Sequence, residues 1–179
     1  MINGFKRKIK KEKLKNKMEN KNFQQCAQLD VNNDYQQLRE NGEDALELIF
    51  NMQKSIQEQV YGYNFEQIQS SIGKLKEFID WNEEAIRDED REMQNAITGI
   101  HTYPSCWKPW KTKHKEAMAR SLSDLSEVEL KELRYEWIDK LHFMMNEAIA
   151  IGLTPEMITN YYVAKNKHNV ERQKRAGGY

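Results

Sequence analysis

Long apolar runs are missing from this 179-residue chain: no stretch approaches the roughly 20 consecutive apolar residues that a membrane helix needs. Neither a spanning segment nor a membrane partner is expected. The basic N-terminus is not followed by an apolar core, so it does not read as a secretion signal. Cysteine is scarce. Cys26 and Cys106 lie far apart with no second Cys or His at zinc spacing, which argues against a disulfide framework and a zinc knuckle and for an intracellular chain. Proline occurs only three times, too rarely for a long irregular segment. Net charge is also absent, with 28 Lys+Arg against 28 Asp+Glu, so overall electrostatics give no reason to expect nucleic-acid or membrane binding.

What remains is one helical domain with a basic appendage. Residues 1–40 read as the appendage, densest in lysine over 1–22, where Lys6-Arg7-Lys8 and Lys10-Lys11 sit among the scattered apolar Ile9, Leu14 and Met18. Such a segment buries little area against the entropy of ordering it, so it is expected to be a disordered, solvated tail. A basic arm for a partner is the other reading. Residues 41–179 form the domain, and the fold class is all-α, a helical bundle.

From Glu43 onward Leu46, Ile49, Phe50, Gln53, Ile56 and Val60 recur at threes and fours, and Gly62 ends the run. A long helix is predicted from about Asn64, with Ile68, Ile72, Leu75, Ile79, Ile86, Met93, Ile97 and Ile100 on one stripe; a break near Gly73 is permitted but not required. His101 to Ser105 reads as a loop because proline and its predecessor resist helix. After the aromatic and basic piece Trp107-Lys108-Pro109-Trp110-Lys111, Ser126 and Glu129 have capping-box spacing and open a helix that stops at Gly152. Thr154 and Pro155 open the last one.

Two acidic pairs stand out, Glu89 with Glu92 and Glu136 with Asp139. A spacing of three puts both carboxylates on one helix face, and two such faces packed together offer hard oxygen ligands suited to magnesium. Spacing alone does not select them, because Asp80/Glu83, Asp124/Glu127 and Glu129/Glu132 repeat it as ordinary solvated faces. Position does. After Glu136 the helix is apolar nearly all round, with Trp137, Ile138, Leu141, Phe143, Met144 and Met145, and is expected to be buried. Unpaired charge there costs several kcal/mol, roughly, unless a cation compensates it.

The runs Ile86-Arg87-Asp88-Glu89-Asp90-Arg91-Glu92-Met93, Trp107-Lys108-Pro109-Trp110-Lys111 and Tyr135-Glu136-Trp137-Ile138-Asp139-Lys140-Leu141-His142-Phe143 resemble the ExxE, WKxWK and ExxDxxHF series of the dimeric dUTPases. Tyr162-Val163-Ala164-Lys165-Asn166-Lys167-His168-Asn169-Val170-Glu171-Arg172-Gln173 resembles their YxxKNxxNxxRQ segment, although Lys174-Arg175-Ala176-Gly177 lengthens the link to the final Gly178-Tyr179. The likeness runs from about Ala45 to the C-terminus. The compact length and the short stretch between the acidic helices are closer to the phage dCTP pyrophosphatases of the same all-α superfamily.

That resemblance implies an enzyme cleaving dCTP and dUTP to the monophosphate and diphosphate, phage-like, homodimeric and placed in the host cytoplasm. It implies Mg2+, with Mn2+ as substitute, held by Glu89, Glu92, Glu136 and Asp139, and Glu92 as the catalytic carboxylate that orients or deprotonates water. Lys165, Asn169 and Arg172 fall at i, i+4 and i+7 on one face and, with Lys108 and Lys111, are the expected phosphate contacts. Trp107 and Trp110 are expected to anchor their segment in the core. Gln53 and Gln57, one turn apart, are either ordinary polar positions or base contacts, since an amide can pair with uracil or, reoriented, with cytosine. His142 touches sugar or base, or is a satisfied core histidine. Trp81 stacks a pyrimidine or packs. Two other functions fit less well: a strict dUTPase or house-cleaning pyrophosphatase for another nucleotide, and a non-catalytic helical interaction protein, which has no need of buried carboxylates on two helices.

Overall fold

The computed structural model describes residue 29, residues 31–98 and residues 110–174. In these, helices α1 (Asp34–Asn41), α2 (Ala45–Ser55), α3 (Phe65–Gln69), α4 (Ile72–Thr98), α5 (Thr112–Ala119), α6 (Glu127–Ala150) and α7 (Pro155–Lys174) account for nearly all regular structure, and no strand occurs among the described residues. The all-α class is thus observed. The loop expected over 101–105, and Trp107, Lys108 and Ile100, lie outside the described residues. So does most of the 1–40 appendage, although α1 falls within that span up to its last residue and buries none of its side chains.

Local chemistry sets the boundaries. Asp44 caps α2 by accepting from Glu47 N at 2.9 Å, and Gly62 at φ 71° ends the segment in a conformation that disfavours a Cβ. Between them the last turn widens over Ile56–Val60, where Tyr61 N donates to Ile56 O at 3.2 Å, five residues back.

Past Asn64 the structure departs from one continuous helix. The chain breaks at Ser70 and Ser71: Ser70 Oγ donates to Gln67 O at 2.7 Å, and Ser71 Oγ accepts from Lys74 N at 3.3 Å. Both hydroxyls satisfy backbone groups that a continuous helix would have paired internally. The phase shifts there, which leaves Ile72 exposed instead of on the expected stripe.

Helix α4 pairs with α6 more extensively than any other two elements of the described structure. Asn82 meets Asn146, Trp81 meets Phe143, and Asp90 meets Lys140, so the helices run antiparallel. Around one end of this pair Phe50, Phe65, Ile68, Phe78, Ile149 and Ala150 form the apolar core, with α2 and α3 as its other walls. Gln69 Nε2 donates to Ile149 O at 3.3 Å and Ala150 O at 3.2 Å, at the C-terminal end of α6 where Ile149 O also accepts from Gly152 N at 3.0 Å.

Helix α6 is not buried all round. Trp137 is 54% exposed, and Ile138 and Met144 also face outward. A stripe at threes and fours that includes Glu132, Glu136, Asp139, Phe143, Asn146 and Ala150 is buried or half-buried, on the side that α4 covers, with α2 and α3 joining it at the core end.

The capping box at Ser126 is present and reinforced. Glu129 Oε2 accepts from Ser126 N at 2.8 Å, while both Glu129 oxygens accept from the Arg120 guanidinium at 3.0 Å. The Arg120 bond, followed by that to Ser126, holds the Glu129 carboxyl down at about 2 against an ordinary 4.5. A depressed acid stabilises the fold above its unfolded pKa and loses that contribution as pH falls. Replacement Glu129→Ala is therefore expected to lower Tm by roughly 2–4 °C at pH 7. In thermal melts the deficit should shrink as pH drops from 4.5 toward 2; a deficit constant across that window would separate the cap from Glu129's charge.

Candidate active site

Seven-residue steps keep one face of a helix, and on α4 they run Leu75, Asn82, Glu89, Ala96, with Phe78, Ala85 and Glu92 filling the alternate places. The facing stripe of α6 runs antiparallel to it. The seam is consequently graded: apolar at the core end, amide in the middle where Asn82 meets Asn146, and acidic at the far end.

At that acidic end Glu89, Glu136 and Asp139 each offer a carboxylate oxygen, all within 4.8 Å of one another. Glu136 is buried and the other two half-buried. Glu92 stands outside this group of three, yet its charge acts on Glu136. Burial above all, then repulsion from Glu92, Glu89, Asp139 and Glu132, pushes the Glu136 carboxyl up to about 8 from an ordinary 4.5. Burial also raises Asp139, opposed by the positive charge of His142. Without a cation, the site stores like charge by keeping a proton.

The other expected residues divide. Gln53 and Gln57 are buried and face the interior from α2 and its widened turn, and Gln53 Nε2 donates to Asn146 Oδ1 at 2.6 Å. They are not ordinary solvated positions. Trp81 is half exposed and meets Phe143 edge to face, ring centres 5.9 Å apart; Phe143 lies between Asn146 and Asp139 along α6. His142 is exposed, so the core-histidine reading falls. Trp110 is 63% exposed and does not anchor its segment in the core; it opens the segment leading into α5, and neighbouring Lys111 is exposed with it. On α7, Lys165 is exposed while Asn169 and Arg172 are half-buried.

Three participants went unnoticed in the sequence. Asn82 and Asn146 are the most completely buried side chains of their size, and Glu132, set aside there as part of a solvated pair, is buried beside Glu136. A signal existed for the amides: each Asn occupies the centre of an apolar stripe, seven residues from a carboxylate of the acidic group.

A raised carboxyl has a definite effect on stability. The folded state binds the Glu136 proton more tightly than the unfolded chain, so metal-free stability should fall as pH rises from about 4.5 to about 8. Replacement Glu136→Gln, which keeps shape and removes the charge, should flatten that slope. It should raise Tm in chelator by about 2–4 °C at pH 8. A lower Tm for the variant under those conditions would show that the charge is compensated within the chain.

No family model and no solved structure matches the chain. Named relatives do. A dCTP pyrophosphatase of Enterobacteria phage LZ5 is 30% identical over 167 residues, 86% of this chain and 97% of its own. A dCTP pyrophosphatase of Enterobacteria phage T4 is 27% identical over 165 residues, 84% of this chain and 96% of its own. A DNA replication protein of phage T4 is 26% identical over 160 residues, 82% of this chain but 41% of that protein. With the first of these matched at both ends of its length, the chain belongs to the phage dCTP pyrophosphatase family.

Proposed function

We propose that the chain is a divalent-metal-dependent pyrophosphatase that cleaves dCTP, and dUTP with it, between the α and β phosphates to the nucleoside monophosphate and diphosphate. The observation that carries this reading is the convergence of Glu89, Glu136 and Asp139 from two helices in a chain whose relatives are named for that activity. Three buried or half-buried oxygen donors fit a hard divalent cation, and a raised Glu136 carboxyl is what such a set shows when it has no cation to share. Magnesium, with manganese as substitute, is the proposed ion. When bound it neutralises triphosphate charge and lowers the pKa of water.

The remaining roles belong to the chain. Glu92, whose charge acts on Glu136, is the proposed fourth carboxylate of the ion site and the proposed acceptor of a proton from the attacking water. Lys108, Lys111, Lys165, Asn169 and Arg172 are the proposed phosphate contacts, each supplying N–H donors to an anionic oxygen. Gln53 and Gln57 read the base, Trp81 and His142 border the base and sugar, and Asn82 and Asn146 each lie two helical turns, about 10 Å, from an acid of the site. Trp137, Ile138 and Met144, apolar and exposed on α6, support a homodimer in which a second copy covers them.

Diphosphate release across all deoxynucleoside and ribonucleoside triphosphates tests the assignment. Turnover of dCTP and dUTP is expected with Mg2+ or Mn2+ and none with chelator, with strong discrimination against dTTP and ribonucleotides, whose 5-methyl and 2′-hydroxyl need room in a closed pocket. Replacement Asp139→Asn should reduce turnover by more than about 100-fold, since loss of even an indirect support of a metal ligand costs 10- to 100-fold. Retention of full Mg2+-dependent activity in that variant would remove Asp139 from the site, and absence of turnover on every nucleotide would leave a binding protein.

A further inference from the structure

The buried amides form a chain with one possible sense. Phe78 O is a backbone carbonyl in α4 and can only accept, so the Asn82 atom 2.8 Å from it must be Nδ2, the donor. Asn82 Oδ1 is thereby turned toward Asn146 and accepts from its Nδ2 at 2.9 Å. Asn146 Oδ1 is then the atom facing α2, and it accepts from Gln53 Nε2 at 2.6 Å. Asn82 is 0%, Asn146 1% and Gln53 7% exposed, so water has little access with which to replace these bonds. Flipping Asn82 or Asn146 would set donor against donor and acceptor against acceptor at its two ends, and flipping Gln53 would set its Oε1 against Asn146 Oδ1, deep in the seam.

We propose that this chain is a polarity relay for base reading: Asn82 and Asn146 are positioning residues that fix Gln53 with its Oε1 as the acceptor offered to the pyrimidine edge. The inference rests on the reading that Gln53 contacts the base, and it replaces the idea that this amide reorients between substrates. A fixed acceptor demands an N–H on the incoming edge. Cytosine supplies one at its 4-amino group and uracil one at N3, so both bind by a small slide of the base against an amide that does not turn. The second Nε2–H is left to donate to the neighbouring acceptor of either base. A pyrimidine with acceptors only on that edge meets Oε1 with a C–H and leaves it unpaired.

The probe is the deoxynucleoside triphosphate of pyrimidin-2-one, which has cytosine's O2 and N3 acceptors but no N–H at position 3 or 4. Wild-type protein with Mg2+ should show kcat/KM for this analogue roughly ten- to a hundredfold below that for dCTP, the cost of one unpaired buried polar group. Replacement Asn82→Leu removes the anchor, lets Asn146 and Gln53 turn, and should narrow that gap at least several-fold, even if it lowers dCTP turnover. A merely structural role would depress both substrates alike and leave the ratio unchanged. Gln53→Ala separates the two layers. If it leaves the analogue-to-dCTP ratio at the wild-type value, the base-contact reading fails and the relay with it. If Gln53→Ala abolishes the discrimination while folded Asn82→Leu retains it in full, the relay alone is wrong. Should Asn82→Leu not fold, wild type decides: equal kcat/KM for the analogue and dCTP overturns the proposal, and a loss confined to the analogue, with dCTP and dUTP both cleaved, supports it.

Discussion

Two antiparallel helices hold Glu89, Glu136 and Asp139 so near one another that, without a counter-charge, Glu136 keeps its proton up to about pH 8. A surface cluster would relieve this by turning side chains into water. Here Glu136 is buried, and the seam that buries it is the most extensive helix pairing in the described structure. Separating the acids would mean separating α4 from α6 and opening the core built around Phe78 and Ile149 at the other end. The apolar end of the seam thus supplies the free energy that keeps the acidic end strained, and the strain takes the form of a proton bound more tightly than a glutamate normally binds one.

The same grading along the seam organises the proposed function. Apolar residues fix the register, the amides of Asn82 and Asn146 fill the middle with fully paired polar groups, and the acids end it. Asn82, Asn146 and Gln53 are each bonded to a specific partner, so the helices have one alignment in which these three bonds form, a sharper constraint than apolar packing imposes. In the proposed enzyme that alignment also ties base reading to phosphate cleavage, because Asn146, which holds Gln53 of α2, lies on the same helix as Glu136 and Asp139.

Much of this was legible in the sequence. The all-α class, the caps at Ser126 and Thr154, the stop at Gly152 and the two acidic pairs follow from periodicity and short-range chemistry, which act within a few residues of the chain. What escaped depended on partners distant in sequence. Helicity through Ser70 and Ser71 was a local preference overridden when their hydroxyls bonded elsewhere. Trp137 and Met144 were assigned to the interior from composition, but the helices that pack on α6 leave both of them exposed. Glu132 belonged to a spacing shared with solvated pairs, and only the approach of α4 distinguishes it. The amides were the subtlest: an Asn in an apolar stripe is visible, but its donor and acceptor sense is set by Phe78 O, Asn146 and Gln53 across three helices.

The link between strained acids and a bound cation is measured most directly by proton release. Titration calorimetry with Mg2+ or Mn2+, repeated at pH 7 in buffers of differing ionisation enthalpy, counts the protons that leave as the ion binds. With Glu136 near 8, the site holds most of one proton at that pH and must give it up to a cation. The expected result is release of close to one proton at pH 7, falling toward zero by about pH 9, and its loss in Glu136→Gln. Binding without proton release at pH 7, or release that persists unchanged in Glu136→Gln, would contradict the coupling of the buried carboxylates to the ion.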